Sequence, residues 1–389
     1  MRTAHERNAF CGEARAEGAN PERWRPRRLA RRRLAAEDSA GDESSVPRVY
    51  VLQPRVVMKR VFCIFCLSIL AAAGSVVAQT YTITDLGTLG GSFGQANGIG
   101  SMGQIVGYST NASNVYHAFL YSGGAMHDLG TLGGTQSNAQ AINGSSQIAG
   151  YVYNNGYKAF LWTNGTAIDL GNLGSSYAVA WAINNAGQVA GDSKTASFED
   201  HAFLYSNGTM RDLGTLGGSD STARGINNSG QITGYSYNAR RDFLAFLWQN
   251  GTMTSIGTLG GDWSKGLAIN ANGDIVGQAY TPGNAGAHAF LYSAGEMTDL
   301  EGLGNTYSSA MAINSSGTQI VGNSGNSAFL YTNGQMLNLN QRIPPGTGWN
   351  LYAASAVDDT GLIAGYGTLN GQEHAFLLKP GGLLRNPKK

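Results

Sequence analysis

Beyond residue 78 the sequence contains no cysteine; Cys11, Cys63 and Cys66 all lie upstream. That absence excludes a disulfide framework for most of the chain, which must be held by burial alone, as a domain of this size can manage. Charge is also scarce, at 13% of residues. From Gln79 onward twelve Lys and Arg face seventeen Asp and Glu, so this part is mildly acidic. It lacks the basic surface that nucleic-acid binding needs, and no nucleic-acid partner is expected. Its apolar runs are four to six residues long, too short for helices. No nucleophile–base pair, metal-ligand spacing or phosphate loop stands out. The DLGTLGG segments lack both the lysine and the helix that a phosphate loop requires, and no cofactor or metal is expected.

What is present is glycine, 56 residues of it, alongside 10% aromatics. Glycine within regular structure costs roughly 0.5–1 kcal/mol relative to alanine, so this abundance points to many tight turns or close backbone contacts. The aromatic and β-branched content argues against a disordered glycine-rich chain. A repeat accounts for both. AFL recurs at Ala118, Ala159, Ala202, Ala245, Ala289, Ala328 and Ala375. AIN-like triplets centre on Ile99, Ile142, Ile183, Ile226, Ile269, Ile313 and Val357. DLG-like turns begin at Asp85, Asp128, Asp169, Asp212, Ser255, Asp299 and Asn338. All three series have a period of about 43 residues and agree on seven units.

Each unit reads as four short strands. In residues 96–130, ANGIG, QIVGYS, HAFLYS and AMHDLG are separated by turns or a variable loop. The third-to-fourth connection is Asn-Gly at Asn164, Asn207, Asn250 and Asn333, the signature of a type I′ hairpin. Four strands per unit match a propeller blade, with a β-solenoid as the competing architecture. The phase of the ends favours the propeller. Tyr81–Gly87 matches only a fourth strand, while the repeat stops at His374–Lys379, which matches a third. The expected fold is therefore an all-β, seven-bladed β-propeller of four-stranded blades over 79–380, closed by the N-terminal strand completing the last blade. A short tail, 381–389, follows.

Upstream, Met58 opens MKRVFCIFCLSILAAAGSVVAQ. Lys59 and Arg60 precede an apolar run from Val61 to Ala73, and Val76 and Ala78 stand at −3 and −1 of a small-residue cleavage site. Residues 58–78 read as a signal peptide, and the protein as secreted, extracellular or periplasmic. Residues 1–57 carry twelve Arg and eight acidic residues and read as an unstructured extension with Met58 as the true start. If they are made, 61–78 approaches the ~17 residues needed to span a bilayer, and membrane contact would come only through that uncleaved segment.

The triplet His-Ala-Phe stands at His117, His201, His288 and His374, with KAF, LAF and SAF variants at Lys158, Leu244 and Ser327. With DLGTLGG and AINNxGQ, it resembles the HAF repeat family of predicted extracellular proteins over essentially all of 81–379. The resemblance implies an extracellular repeat protein and no particular activity.

Residues that recur in one slot of every unit are expected to build the fold. The histidines would lie on different wedges, too far apart to share a metal with ligand distances of ~2.0–2.1 Å, and read as packing or hydrogen-bonding groups. The Asp of DLG and the Asn of AIN read as turn formers. Function is expected where the repeat varies. Six residues before each central Ile or Val stand Phe93, Gln136, Tyr177, Asp220, Trp263, Tyr307 and Leu351; two before it stand Asn97, Gln140, Trp181, Arg224, Leu267, Met311 and Ser355. The second-to-third-strand loops vary too, with Phe198–Asp200 in unit 3 and Arg240–Asp242 in unit 4. In a propeller these positions open on one face. Tyr177, Trp181, Asp220, Arg224, Trp263, Tyr307, Arg240 and Arg241 are the expected ligand-binding residues, equipment suited to a glycan or a protein loop. The expected function is a monomeric binding or scaffold module, more in keeping with these residues than an enzyme. The competing reading is a carbohydrate-active lyase or hydrolase using Asp220, Arg224 and the Asp200 or Arg240 loops.

Overall fold

The computed structural model describes residues 79–381. The expected extension over 1–57, the signal peptide over 58–78 and the tail after Gly381 lie outside the described residues. Those described form 28 β-strands and two short 3-10 turns. Strands are labelled a to d in chain order within each repeat unit. Unit 1 comprises a, Gly90–Ile99; b, Ile105–Asn111; c, Tyr116–Ser122; and d, Ala125–Asp128. Units 2 to 6 are each a separate four-stranded antiparallel sheet in the order a-b-c-d, starting at Gln136, Gly174, Gly217, Ser264 and Ser308. Unit 7 has a, Trp349–Val357; b, Ile363–Leu369; and c, Gln372–Pro380. Its fourth place is taken by Tyr81–Gly87, antiparallel to c with Tyr81 opposite Pro380 and Asp85 opposite Phe376. A single parallel bridge, Phe93 to Glu373, joins units 7 and 1 into one eight-stranded sheet.

The local chemistry explains why every unit repeats this pattern. Asn164, Asn207, Asn250 and Asn333 and the glycines after them all have positive φ, as the type I′ hairpin demands. Strand a carries a bulge at the same point in each unit, for example between Ala180 and Ala182. Just before the bulge, a carbonyl of strand a lies close against strand b, where a glycine always stands. A Cβ on Gly191 would lie 1.9 Å from the Val179 carbonyl oxygen and 2.8 Å from the Phe203 ring. Only glycine fits there. The Phe of each AFL thus packs over this glycine, and six of the seven are fully buried, with Phe160 nearly so.

Burial runs between units more than within them. Each of seven apolar clusters combines residues of two consecutive units; one mixes Ala149, Ala159 and Leu161 of unit 2 with Ala178, Ile183 and Phe203 of unit 3. Another joins Ala364, Ala375 and Leu377 of unit 7 to Leu86, Ala96, Ile105 and Phe119. Polar groups bind the same junctions. The Ala202 N–H donates to Ser221 Oγ of the next unit at 2.8 Å, and that hydroxyl donates to the Gly214 carbonyl at 2.6 Å. The pattern recurs with Ser137, Ser264 and Ser308. The AIN asparagines link units again, with Asn143, Asn184 and Asn227 each donating to the equivalent carbonyl one unit on at 3.0–3.1 Å. Their Oδ1 atoms meanwhile accept two backbone N–H groups of their own loop, as in Asn184 with Ala186 and Gln188.

Candidate functional site

Antiparallel pairing puts the a–b and c–d turns at one end of each sheet and the b–c and d–a loops at the other. The variable loop residues and the start of each strand a lie at this second end. Trp181 and Arg224, expected on the same end, instead sit two residues before the end of strand a, towards the a–b turns, because strand a runs from one end of the sheet to the other. In unit 3, strand a is Gly174–Ile183, b is Val189–Thr195 and c is Asp200–Ser206; in unit 4, a is Gly217–Ile226, b is Ile232–Asn238 and c is Phe243–Gln249.

Between units 3 and 4 the side chains form one connected group. Trp181 on strand a donates its indole N–H to Asp192 Oδ1 at 2.5 Å. Arg224, on strand a of unit 4, lays its guanidinium over the Trp181 ring, 3.8 Å from the centroid. Asp192 is only 4% exposed. Burial pushes its carboxyl up to about 6, and the charge of Asp200 adds to the rise; hydrogen bonds from Trp181 and Tyr177 and the nearby Arg224 oppose it. Tyr177 and Tyr235 are likewise pushed up by burial, so both phenols stay protonated. Lys194 pairs with Asp200 Oδ2 at 3.0 Å and sits over the Tyr177 ring. The other Asp200 oxygen is buried and accepts no hydrogen bond from the described residues. Asp220 ties the loops together, because its Oδ1 accepts the Asp200 N–H at 3.0 Å and its other oxygen accepts from Ser219.

Four of the expected residues, Tyr177, Trp181, Asp220 and Arg224, therefore belong to one neighbourhood. The other four have different surroundings. Trp263 stacks flat on Phe243 of unit 4, with planes 4° apart and centroids 5.5 Å apart, and touches Tyr280 and Lys265. Tyr307 is 59% exposed at the start of unit 6. Arg240 and Arg241 form an exposed loop tip whose backbone N–H groups bond to Asn238. Arg241 has φ of 68° and Phe198, at the same place in the unit 3 loop, has φ of 66°; unit 1 puts Asn114 there. Asparagine tolerates this left-handed region, whereas the larger side chains hold it at some cost.

Asp192 was not among the residues singled out from sequence. Its slot in strand b holds Tyr108, Tyr151, Tyr235 and Tyr366 in four units, Gln278 and Asn323 in two, and an acid only in unit 3. That break was readable, but only in the register of strand b.

The recurrent residues behave as turn and strand groups. The Asp of each DLG accepts a backbone N–H two residues on, from Gly87, Gly130, Gly171, Gly214 or Glu301. The HAF histidines meet these same carboxylates through Nδ1, His117 with Asp128, His201 with Asp212, His288 with Asp299 and His374 with Asp85, at 2.7–2.9 Å. Lys158 replaces the imidazole opposite Asp169. Where the acid is missing, at Ser255 and Asn338, the partner position holds Leu244 and Ser327.

No family model matches the sequence, and no curated protein matches it. Solved structures do. The chain is similar to YCF48 bound to D1 peptide, with a TM-score of 0.51 at 10% identity over 79% of this chain and 97% of that one. It is also similar to the β-propeller domain of the Trilobed protease from Pyrococcus furiosus, with a TM-score of 0.49 at 8% identity over 80% of this chain and 100% of that one. The fold is a β-propeller. TolB from Acinetobacter baumannii aligns with a TM-score of 0.42 at 12% identity, over 75% of this chain and 65% of that chain. At these identities the likeness concerns the fold alone. On the propeller's opposite end, among the a–b and c–d turns, Met102, Gln104, Tyr121, Leu362, Leu377 and Lys379 line a cleft of about 240 Å³. None of the variable residues reaches it.

Proposed function

We propose that this chain is a secreted, seven-bladed propeller of the HAF-repeat kind, acting as a binding or scaffold module for a glycan or protein partner. Each unit would be one blade, with Tyr81–Gly87 as the outer strand of the seventh. Support for the closed ring comes from the pairing of that strand with Gln372–Pro380 and from the apolar cluster joining units 7 and 1. Support for secretion comes from the leader at 58–78; among the described residues, no helix is long and apolar enough to cross a membrane. The observation that carries the binding reading is the Trp181–Asp192–Arg224 group. It breaks the repeat, keeps a costly buried acid, and shows a cation stacked on an aromatic ring. YCF48 is a propeller that takes a peptide.

One observation favours the enzymatic alternative. A carboxyl at about 6 with a second acid, Asp200, close enough to influence it is the environment of a general acid in polysaccharide cleavage. A glycan array and a peptide array, each paired with a turnover assay on the ligands retained, separate the readings. Binding without turnover is expected, and Tyr177→Ala or Trp181→Ala should weaken it at least tenfold. Turnover abolished by Asp192→Asn would establish the enzyme instead, and retention of nothing on either array would remove both.

A further inference from the structure

We infer that the ligand of the unit 3–4 face carries a carboxylate, taken by Arg224, and that it is a uronic-acid-containing glycan. This rests on the proposal that the face binds a ligand, and deepens it.

Arg224 is unusual among the charged groups of this face. Lys194 is committed to Asp200 and to the Phe198 carbonyl at 3.3 Å. Asp220 is committed to the Asp200 N–H and Ser219. Arg224 has a ring against the face of its guanidinium, yet none of its N–H groups bonds to a described residue. Stacking fixes the plane of the fork, while the buried Asp192 beside it supplies a counter-charge without a hydrogen bond to it. A planar cation held by its face, with its edge unsatisfied, is organised for two parallel bonds to a carboxylate. Arg240 and Arg241 are exposed on the b–c loop of the same unit, but Asp242 and the neighbouring Glu199, Asp200 and Asp220 balance them, so Arg224 alone is the candidate carboxylate partner.

The aromatic surroundings decide between a sugar acid and an acidic protein segment. Tyr153, itself 39% exposed, begins a run of rings through Tyr157 to Tyr177, with centroids 5.3 and 5.5 Å apart; Tyr151 continues it from Tyr157 to Trp181 at 5.4 and 6.1 Å. The rings meet edge to face, at 62–75°, and form a cluster rich in phenol hydroxyls that can hydrogen-bond to a sugar. A protein anchor needs an apolar socket instead, and the exposed large apolar residues among those described, Met102, Tyr153, Ile168, Phe198 and Tyr307, are spread over four units.

The test is calorimetric titration of the full chain with oligogalacturonate, oligomannuronate and oligoglucuronate, with their methyl esters, and with oligoglutamate. At least one uronate series should bind, esterification should weaken it tenfold or more, and Arg224→Ala should do the same. Arg224→Lys, which keeps the charge but loses the fork, should fall between, and it keeps the test decisive if the alanine variant fails to fold. Equal binding of acid and ester, or binding indifferent to Arg224, overturns the inference. If Tyr177→Ala still lowers affinity in that case, the face binds glycans by another chemistry and the broader reading stands. Silence towards all three uronates, or tighter binding of oligoglutamate, also overturns it.

Discussion

Burial is the largest influence on the Asp192 carboxyl, lifting it from 3.8 to about 6. A folded-state value above the unfolded one means that the native protein keeps a proton the unfolded chain gives up. The contribution of this one group to stability should therefore be greatest below about pH 4, decline as pH rises from about 4 to 6, and level off above. The whole effect is on the order of 3 kcal/mol, at about 1.4 kcal/mol per pH unit of difference. Asparagine keeps an oxygen for the Trp181 indole and cannot ionise. Asp192→Asn should flatten the pH dependence over that window and raise stability at pH 7 by about 1–3 kcal/mol, as read from urea unfolding at a series of pH values. An unchanged slope would mean that the carboxyl is not buried as described. Tyrosine at this position in four other units gives the chain a neutral alternative, so keeping an acid here fits a role in the site.

At the scale of the strand, the glycine facing each bulge is a sharper constraint than any hydrophobic contact. Gly191→Ala would place a methyl group 1.9 Å from a backbone carbonyl and against the Phe203 ring. Neither can move without opening the sheet. Chemical denaturation should show a loss above about 3 kcal/mol, and a variant of near-native stability would refute the bulge geometry. Much at this scale was legible in the sequence. The Asn-Gly hairpins, the four strands per unit and the turn role of the DLG aspartates follow from local rules that act alike in each unit. The pairing of each HAF histidine with a DLG acid was half legible. A hydrogen-bonding role was readable at the histidine, whereas its partner, eleven residues on for three of the four histidines and at the far end of the chain for the fourth, depended on the c–d register. The surroundings of Trp263 were not legible at all. Its stacking on Phe243 depends on how far one strand is staggered past a neighbour, which composition and periodicity do not encode.

For the whole molecule, the decisive contact lies between its first described strand and its last. Tyr81 and Leu86 are 2% and 4% exposed. Burying two such side chains contributes about 3–6 kcal/mol. A chain lacking residues 79–87 should thus melt roughly 10 °C or more below the intact protein in scanning calorimetry. Asp85→Ala, which removes only the partly exposed pair with His374 and one turn bond, should cost about 1 kcal/mol. Equal effects from both changes would mean that the strand is held by its ion pair rather than by its apolar side.

Asp85 and His374 are separated by 289 positions along the chain, yet share a hydrogen bond. During synthesis, the segment holding Asp85 emerges among the earliest of the propeller and can find its sheet only once nearly everything else has been made. Until then it is an unpaired strand and unit 7 has an open edge, so any nascent or truncated form presents two mutually complementary surfaces. Two such molecules side by side could exchange these strands, and a dimer formed in this way would be the natural by-product of slow or crowded folding.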